Sequence, residues 1–409
     1  MTNVLMIHHC RDFSSNDVYL SDDYQLANNK LYGAQEMDCW AGFRILSKAY
    51  YTYRLQISVN LSSCQLISPK GDILGIWKIA FPVNIQDRIS ADYLNSFFKY
   101  WDTSIAQFSS SVLRSTILEI IEKNRIDLLW VETQFYDAAL PKKFPSIVRS
   151  VNFEPKHVLR EDYSVGRYLR FIGKIWSESK IARRREMFSI SPNDSRGYKF
   201  LSGREIPYLP LRQLSFLLEY GIQNYPVGMR LNPEDKYFYF AGSTYDVKHN
   251  LDNLITIIDK ISPAMARELP EVHIRVFGNR FPQGLKLPKN VVPMSFHEDY
   301  FKIVRGSLGV IVPSKGGAGM QSKVFEAICL GIPLIANEKA LSGYPFNPIE
   351  HYWRGSSPHE AFSAMRQVSL RRDDAIEKAT AARSLAKSLF NSSILNNLVR
   401  QRVGNQLND

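Results

Sequence analysis

The sequence predicts a doubly wound α/β protein of two domains, on three observations. Short apolar runs alternate with stretches of helical spacing along most of the chain. Two prolines in "GREIPYLPLRQ" (203–213) interrupt this rhythm, which then begins again. The length of 409 residues also exceeds one ordinary core, since a domain takes about 100–200 residues.

In the first half, "NVLMIHH" (3–9) is short, apolar and flanked by polar residues, as a buried parallel strand is. Further such runs are "IDLLWVET" (126–133), "SIVRSVNF" (146–153) and "MFSISP" (187–192). Between them, Val112, Ile117, Ile120 and Ile121 recur at helical intervals and predict a helix with those residues inward. The segment "QISVNLSSCQLISPKGDILGIWKIAFP" alternates instead, and its "PKGD" turn predicts an inserted hairpin. After the break the order is "KYFYFAG" (236–242), a helix from about Asn250 to Met265, "VHIRVFG" (272–278), "NVVPMS" (290–295), "LGVIVPS" (308–314), another helix and "PLIAN". The boundary is expected between 207 and 235.

At 45% hydrophobic and 12% aromatic, the composition is that of a folded chain. Lys and Arg number 51 against 40 Asp and Glu, so the surface should attract phosphates, nucleic acid or an anionic membrane, among which charge alone does not choose. No zinc-finger or RRM-type motif accompanies the charge, so nucleic acid is not expected as a partner. Cys10, Cys39, Cys64 and Cys329 are scattered without C-x-x-C spacing, which argues against a zinc site or disulfide framework and for a reducing cytoplasm. Neither a signal peptide nor an apolar run long enough to span a membrane is recognised.

One stretch carries chemistry: "PSKGGAGMQSKVFEAICLGIPLIAN" (313–337). "LGVIVPS" is a strand, "KGGAG" a turn, and "MQSKVFEAICLG" a helix with Val324, Phe325, Ile328 and Leu330 toward the core. A glycine-rich turn lets backbone N–H groups approach a ligand, and the helix N-terminus favours an anion there. Lys323 would add a point charge for a diphosphate, and Glu326, about 4.5 Å further along the axis, could accept from paired hydroxyls such as a ribose's. The plainer alternative makes the glycines a tight loop and pairs Lys323 with Glu326 as a solvated i to i+3 bridge.

The order of these motifs resembles the C-terminal domain of family-4 (group 1) retaining glycosyltransferases of the GT-B fold. The matching segments are "FAGSTYDVKHNLDNL", "ELPEVHIRVFGN" and the 313–337 stretch in its "GAGM...K..EA...G.P" form. "PSIVRSVNFEP" (145–155) and "MFSISPNDSRGY" match family segments more loosely. The resemblance implies two Rossmann-like domains facing across a cleft: 1–207 for the acceptor, 208–357 for the nucleotide-sugar, and helices in 358–409 crossing back to the first. It implies that Gly317, Ala318, Gly319, Met320 and Gln321 hold the donor diphosphate with Lys323 nearby, that Glu326 holds the ribose, and that Gly242, Ser243 and Lys248 lie on the facing loop. Asn152 and Glu154 are carried over as catalytic-side residues with Lys323 and Glu326.

Three departures stand out. Ala318 occupies the place, eight residues before Glu326, where many members keep a glutamate, and Val151 replaces the family's histidine. His157 is the candidate substitute, or simply a loop histidine. "HHCRDFSSNDVY" lacks the usual glycines, leaving Gly33 as a replacement.

The implied reaction is sugar transfer from a nucleoside diphosphate donor with retention, without metal or other cofactor, to a glycan or lipid-linked acceptor in surface polysaccharide or glycolipid synthesis. A nucleotide-sugar epimerase of the same fold and a catalytically inactive sugar-nucleotide binder are the alternatives. Residues 156–212 hold 13 Lys or Arg against 6 Asp or Glu. Within 159–188, Val165, Leu169, Ile172 and Trp176 share one helical face, with Arg167, Arg170 and Lys174 on another. That face either packs on the core beneath a solvated basic side or meets an anionic membrane from the cytoplasmic side.

Overall fold

Val4, Leu5, Met6 and Ile7 are wholly withdrawn from solvent, because the strand they form, β1 (Asn3–His9), lies in the middle of a sheet covered on both faces. The structure is a computed structural model and describes the chain apart from residues 1, 15, 32, 83–87, 151, 162–163, 228–233, 295–299, 316–319 and 409. It forms two units, Met1–Gln213 with Ser392–Asp409, and Leu214–Asn391.

In the first unit α1 (Gly33–Ser47) follows β1, and β2 (Tyr51–Ser58) returns parallel to it. The alternating segment adds β3 (Ser63–Ile67) and β4 (Ile73–Lys78), each antiparallel to its predecessor. The hairpin foreseen around "PKGD" therefore widens the sheet rather than standing apart from it. Next come α2 (Ala91–Tyr100), α3 (Ser111–Lys123), β5 (Leu128–Val131), β6 (Ser146–Arg149), α4 (Glu154–Glu161), α5 (Arg167–Arg184), β7 (Glu186–Phe188) and α6 (Pro192–Ser202). The seven strands lie in the order β4-β3-β2-β1-β5-β6-β7.

Helix α3 corrects one expectation. Ser110 caps it by accepting from the Leu113 N–H at 3.3 Å, and the inward residues are Leu113, Thr116, Ile117 and Ile120. Val112 is exposed instead, since a face through Ile117 passes four residues back, through Leu113.

The proline-interrupted stretch is fastened by charge. Arg212 Nη1 donates to Glu132 Oε1 at 2.6 Å and Nη2 to Asp38 Oδ2 at 3.0 Å, while Arg149 Nη1 lies 2.6 Å from Asp38 Oδ2. All four side chains are buried. The two guanidiniums hold the Asp38 carboxyl below its usual range against the opposing effect of burial. A Cβ on Gly42 would sit 2.1 Å from Arg212 Nη1, so α1 needs glycine there.

The second unit is a six-stranded sheet with parallel neighbours throughout, ordered β10-β9-β8-β11-β12-β13. Its strands are β8 (Tyr237–Thr244), β9 (His273–Asn279), β10 (Val291–Met294), β11 (Gly309–Val312), β12 (Leu334–Ala336) and β13 (Trp353–Arg354). Helix α7 (Lys248–Thr256) runs into a π turn at Ile257–Ile261, where the Ser262 N–H donates to Ile257 O, and continues as Ser262–Glu268. Then follow α8 (Tyr300–Gly306), α9 (Ser322–Cys329), α10 (Pro358–Leu370) and α11 (Arg372–Phe390), all in this unit. The last helix, α12 (Ser392–Asn408), belongs to the first unit, where Arg402 pairs with Glu186 at 3.0 Å.

Candidate functional site

Strand order reverses between β8 and β11, and in an open parallel sheet such a switch point is where the loops at the strand ends part and leave a ligand site. The two loops singled out in the sequence, after β8 and after β11, both leave from it.

Of the β11 loop, Gly317, Ala318 and Gly319 lie outside the described residues. What flanks them is built firmly. The Lys315 N–H donates to Asn253 Oδ1 at 3.1 Å, Gln321 Nε2 donates to Ser314 Oγ at 2.7 Å, and the Tyr344 hydroxyl donates to Gln321 O at 2.8 Å. Met320 is buried.

Helix α9 forms because Val324, Phe325, Ala327 and Ile328 bury one face. Lys323 and Glu326 share the flank that is only partly buried. Lys323 Nζ donates to Asn250 Oδ1 at 3.3 Å and stands 5.3 Å from the Phe240 ring centre. Desolvation brings its pKa down to about 8. Glu326 Oε1 accepts from the Tyr300 hydroxyl at 2.5 Å, and burial pushes its carboxyl up to about 7, against the lowering effect of that hydrogen bond. The solvated i to i+3 bridge is thereby overturned: each group has its own partner from another element, and both are drawn toward the interior.

Sequence reading passed over Asn253, Tyr239 and Tyr300 as site residues. Asn250 and Asn253 are one turn apart on α7 and reach opposite flanks of the glycine loop, and that i to i+3 spacing in "HNLDN" was the available signal. Asn253 Nδ2 and the Tyr239 hydroxyl are buried with no hydrogen-bond partner among the described residues. Burial raises the pKa of the Tyr239 hydroxyl, and the Glu326 carboxylate raises it further. Two unspent donors beside a cation and a carboxylate suit a polar, anionic ligand.

On the β8 side, Gly242 is buried, and a Cβ there would lie 2.5 Å from the Tyr245 ring, whose hydroxyl donates to Phe277 O at 2.9 Å. Ser243 lies within β8. Lys248 opens α7 on its exposed side and pairs with Asp252 at 3.1 Å.

Asn152 and Glu154 belong to the first unit. The Asn152 carbonyl oxygen accepts from Ser150 Oγ at 2.6 Å. Glu154 is buried, which raises its pKa, and its Oε2 lies 3.9 Å from Lys174 Nζ. Lys174 in turn donates to Asp102 Oδ1 at 3.0 Å, and buried Glu178 nearby is pushed up to about 8. Val151 lies outside the described residues; His157 is partly buried within α4.

Helix α5 departs from the expectation that its apolar face packs on the core, and from the placing of Lys174 on its basic side. Val165, Leu169, Ile172 and Trp176 are exposed, so that stripe does not pack on the core. Lys174 leaves the basic side and is buried, because Asp102 and Ser104 receive it within the unit. In the Arg183–Arg185 run, Arg184 and Arg185 are taken up by Asp137. No helix among the described residues is long and apolar enough to cross a membrane, and no three His, Cys, Asp or Glu among them are grouped to hold a metal ion.

No curated protein sequence matches this chain. Residues 260–393 match the family model described as Glycosyl transferase-like. Among solved structures, sucrose-phosphate synthase from Thermosynechococcus elongatus superposes with a TM-score of 0.60 at 12% identity, over 99% of each chain. HepE of Anabaena, in complex with UDP and glucose, gives 0.56 at 10% identity over 99% of this chain and 100% of that one. A glycosyltransferase from Rickettsia africae gives 0.56 at 13% over 99% and 98%. The chain thus takes the GT-B fold, and part of it, residues 260–393, is similar to a glycosyl transferase-like family.

Proposed function

We propose that the protein moves a sugar from a nucleoside diphosphate donor to an acceptor hydroxyl with retention, the second unit binding the donor and the first the acceptor. The observation that carries this is the placing of Lys323 and Glu326 on one flank of α9, beside the glycine loop at the β8/β11 switch point, each held by a separate partner. HepE, similar in fold, was solved with UDP and glucose, which supports a nucleotide-sugar here.

Charge builds on the diphosphate as its bond to the anomeric carbon breaks. A fixed ammonium and oriented amides therefore favour the transition state over the ground state. Lys323 takes that role with the amides of 317–321, and Glu326 anchors the donor by accepting from its hydroxyls. Lys248 assists from the β8 side after exchanging Asp252 for phosphate, with Gly242 and Ser243 beside it. We assign the leaving group to these protein groups rather than to a metal. Asn152 and Glu154 serve the acceptor side. The acceptor is a glycan or a lipid-linked glycan met at the cytoplasmic face of an anionic membrane through 159–188, in surface polysaccharide or glycolipid synthesis.

A thermal-shift screen with UDP, GDP, ADP, CMP and dTDP tests this, because a ligand bound to the folded state raises the midpoint by mass action. At least one nucleotide should raise it, and Lys323→Ala or Glu326→Ala should abolish the rise. An unchanged rise in both variants would remove these residues from the donor site.

A further inference from the structure

Resting on that membrane reading, we propose that the surface docking on the bilayer is built from two helices, with the end of α2 inserting beside α5 and the aromatic pair Phe98 and Trp101 as its anchor.

Helix α5 is amphipathic in the reverse sense for a solvated helix. Lys174, Ser177 and Glu178 face the interior, where Asp102 and Gln134 receive them, and the apolar stripe faces out, with Leu169 78% and Trp176 55% exposed. Beside it Phe98 is 66% and Trp101 63% exposed. The two helices form one continuous surface: Trp176 Nε1 donates to Lys99 O at 3.4 Å, and Lys180 Nζ to the same oxygen at 3.1 Å. A Cβ on Gly173 would stand 2.1 Å from Trp101 O, so the turn after α2 is seated against the α5 backbone.

Trp101 ends α2 in the left-handed region, at φ 54°, where a non-glycine residue is strained. The exposed indole is an apolar ring left in water with a polar N–H at its edge, and insertion into the interfacial zone suits both parts. Charge selects the occupant. Arg167, Arg170, Lys180 and Arg183 run along α5, whose sole carboxylate, Glu178, is buried, so an anionic lipid surface complements the patch. A second copy of the chain, joined by a twofold, would set the same cations against each other.

Flotation with vesicles of phosphatidylglycerol and phosphatidylcholine, compared with phosphatidylcholine alone, tests the proposal. The wild type should float with the anionic vesicles and less so in high salt, and Phe98→Ser/Trp101→Ser should bind at least about tenfold more weakly. Leu169→Ser/Ile172→Ser should fall similarly. All four side chains are exposed, so unchanged circular dichroism should accompany the loss. Brominated acyl chains should quench tryptophan fluorescence less in Trp101→Phe than in wild type. If the α5 variant fails to float while the α2 variant floats like wild type, the α2 anchor is wrong and the membrane reading stands. If the wild type stays unbound, both fall, and loss of a dimer in the α2 variant would point instead to a second copy.

Discussion

The Tyr300 hydroxyl donates to Glu326 Oε1 at 2.5 Å, joining the start of α8 to the flank of α9. The carboxylate is thus aimed by a residue 26 positions upstream in the chain. Tyr300→Phe removes the bond and leaves the ring, so Glu326 should lose orientation and rise further in pKa. Nucleotide affinity is expected to fall by roughly 1–2 kcal/mol, about tenfold, read by calorimetry with the nucleotide that gives the largest thermal shift.

Nucleotide binding should follow a bell in pH. Glu326 accepts from hydroxyls best when ionised, above about 7, and Lys323 serves phosphate best when protonated, below about 8. Affinity should be highest between these values and fall on both sides. In Glu326→Gln the acidic limb should flatten while the alkaline limb remains.

The stability of the unliganded protein should run the other way. The Glu326 pKa is raised from 4.5, so its contribution is fully present below about 4.5 and lost as pH rises through 7. The Lys323 pKa is lowered from 10.5, so the folded state is penalised below about 8 and recovers as pH rises toward 10.5. These two groups together put a trough between pH 7 and 8. A Lys323→Met/Glu326→Gln variant should be more stable there, by about 2–4 kcal/mol, than it is relative to wild type at pH 5, measured by urea unfolding.

Gly42→Ala should be strongly destabilising. The added methyl meets the guanidinium of Arg212, which Asp38 and Glu132 hold from both sides. About 3–5 kcal/mol is expected, the scale of breaking a buried ion pair, seen as a fall in the unfolding midpoint.

Much of this architecture was legible in the sequence because parallel strands bury both faces and so stand out as apolar runs, as "NVLMIHH" and "LGVIVPS" do. The helix of 111–123 was legible to within one residue: Val112 and Leu113 are both apolar, and hydrophobicity cannot say which of two neighbours turns inward. Helix α5 misled for a deeper reason. Its apolar stripe is real, but the partner that decides which side goes inward is Asp102, some seventy residues away, whose demand for Lys174 no local pattern displays. The Arg212 fastening was invisible likewise, because its carboxylates come from α1 and from the end of β5. At the candidate site, "GAG...K..E" marked the helix and its charged pair, while Asn253, Tyr239 and Tyr300 join it only through the fold.

The π turn at 257–261 sets a phase. It holds an additional residue within the helical run, and each residue rotates the helix by about 100°. Upstream of it Asn253 and Asn250 accept from Lys315 and Lys323; at its end and beyond, Ile261 and Met265 are buried in the core. Both alignments hold together only with this count. Substituting the exposed Asp259 or Lys260 should therefore matter little, whereas deleting either would swing Asn250 and Asn253 off Lys323 and Lys315. What this short segment contributes to the site is its length.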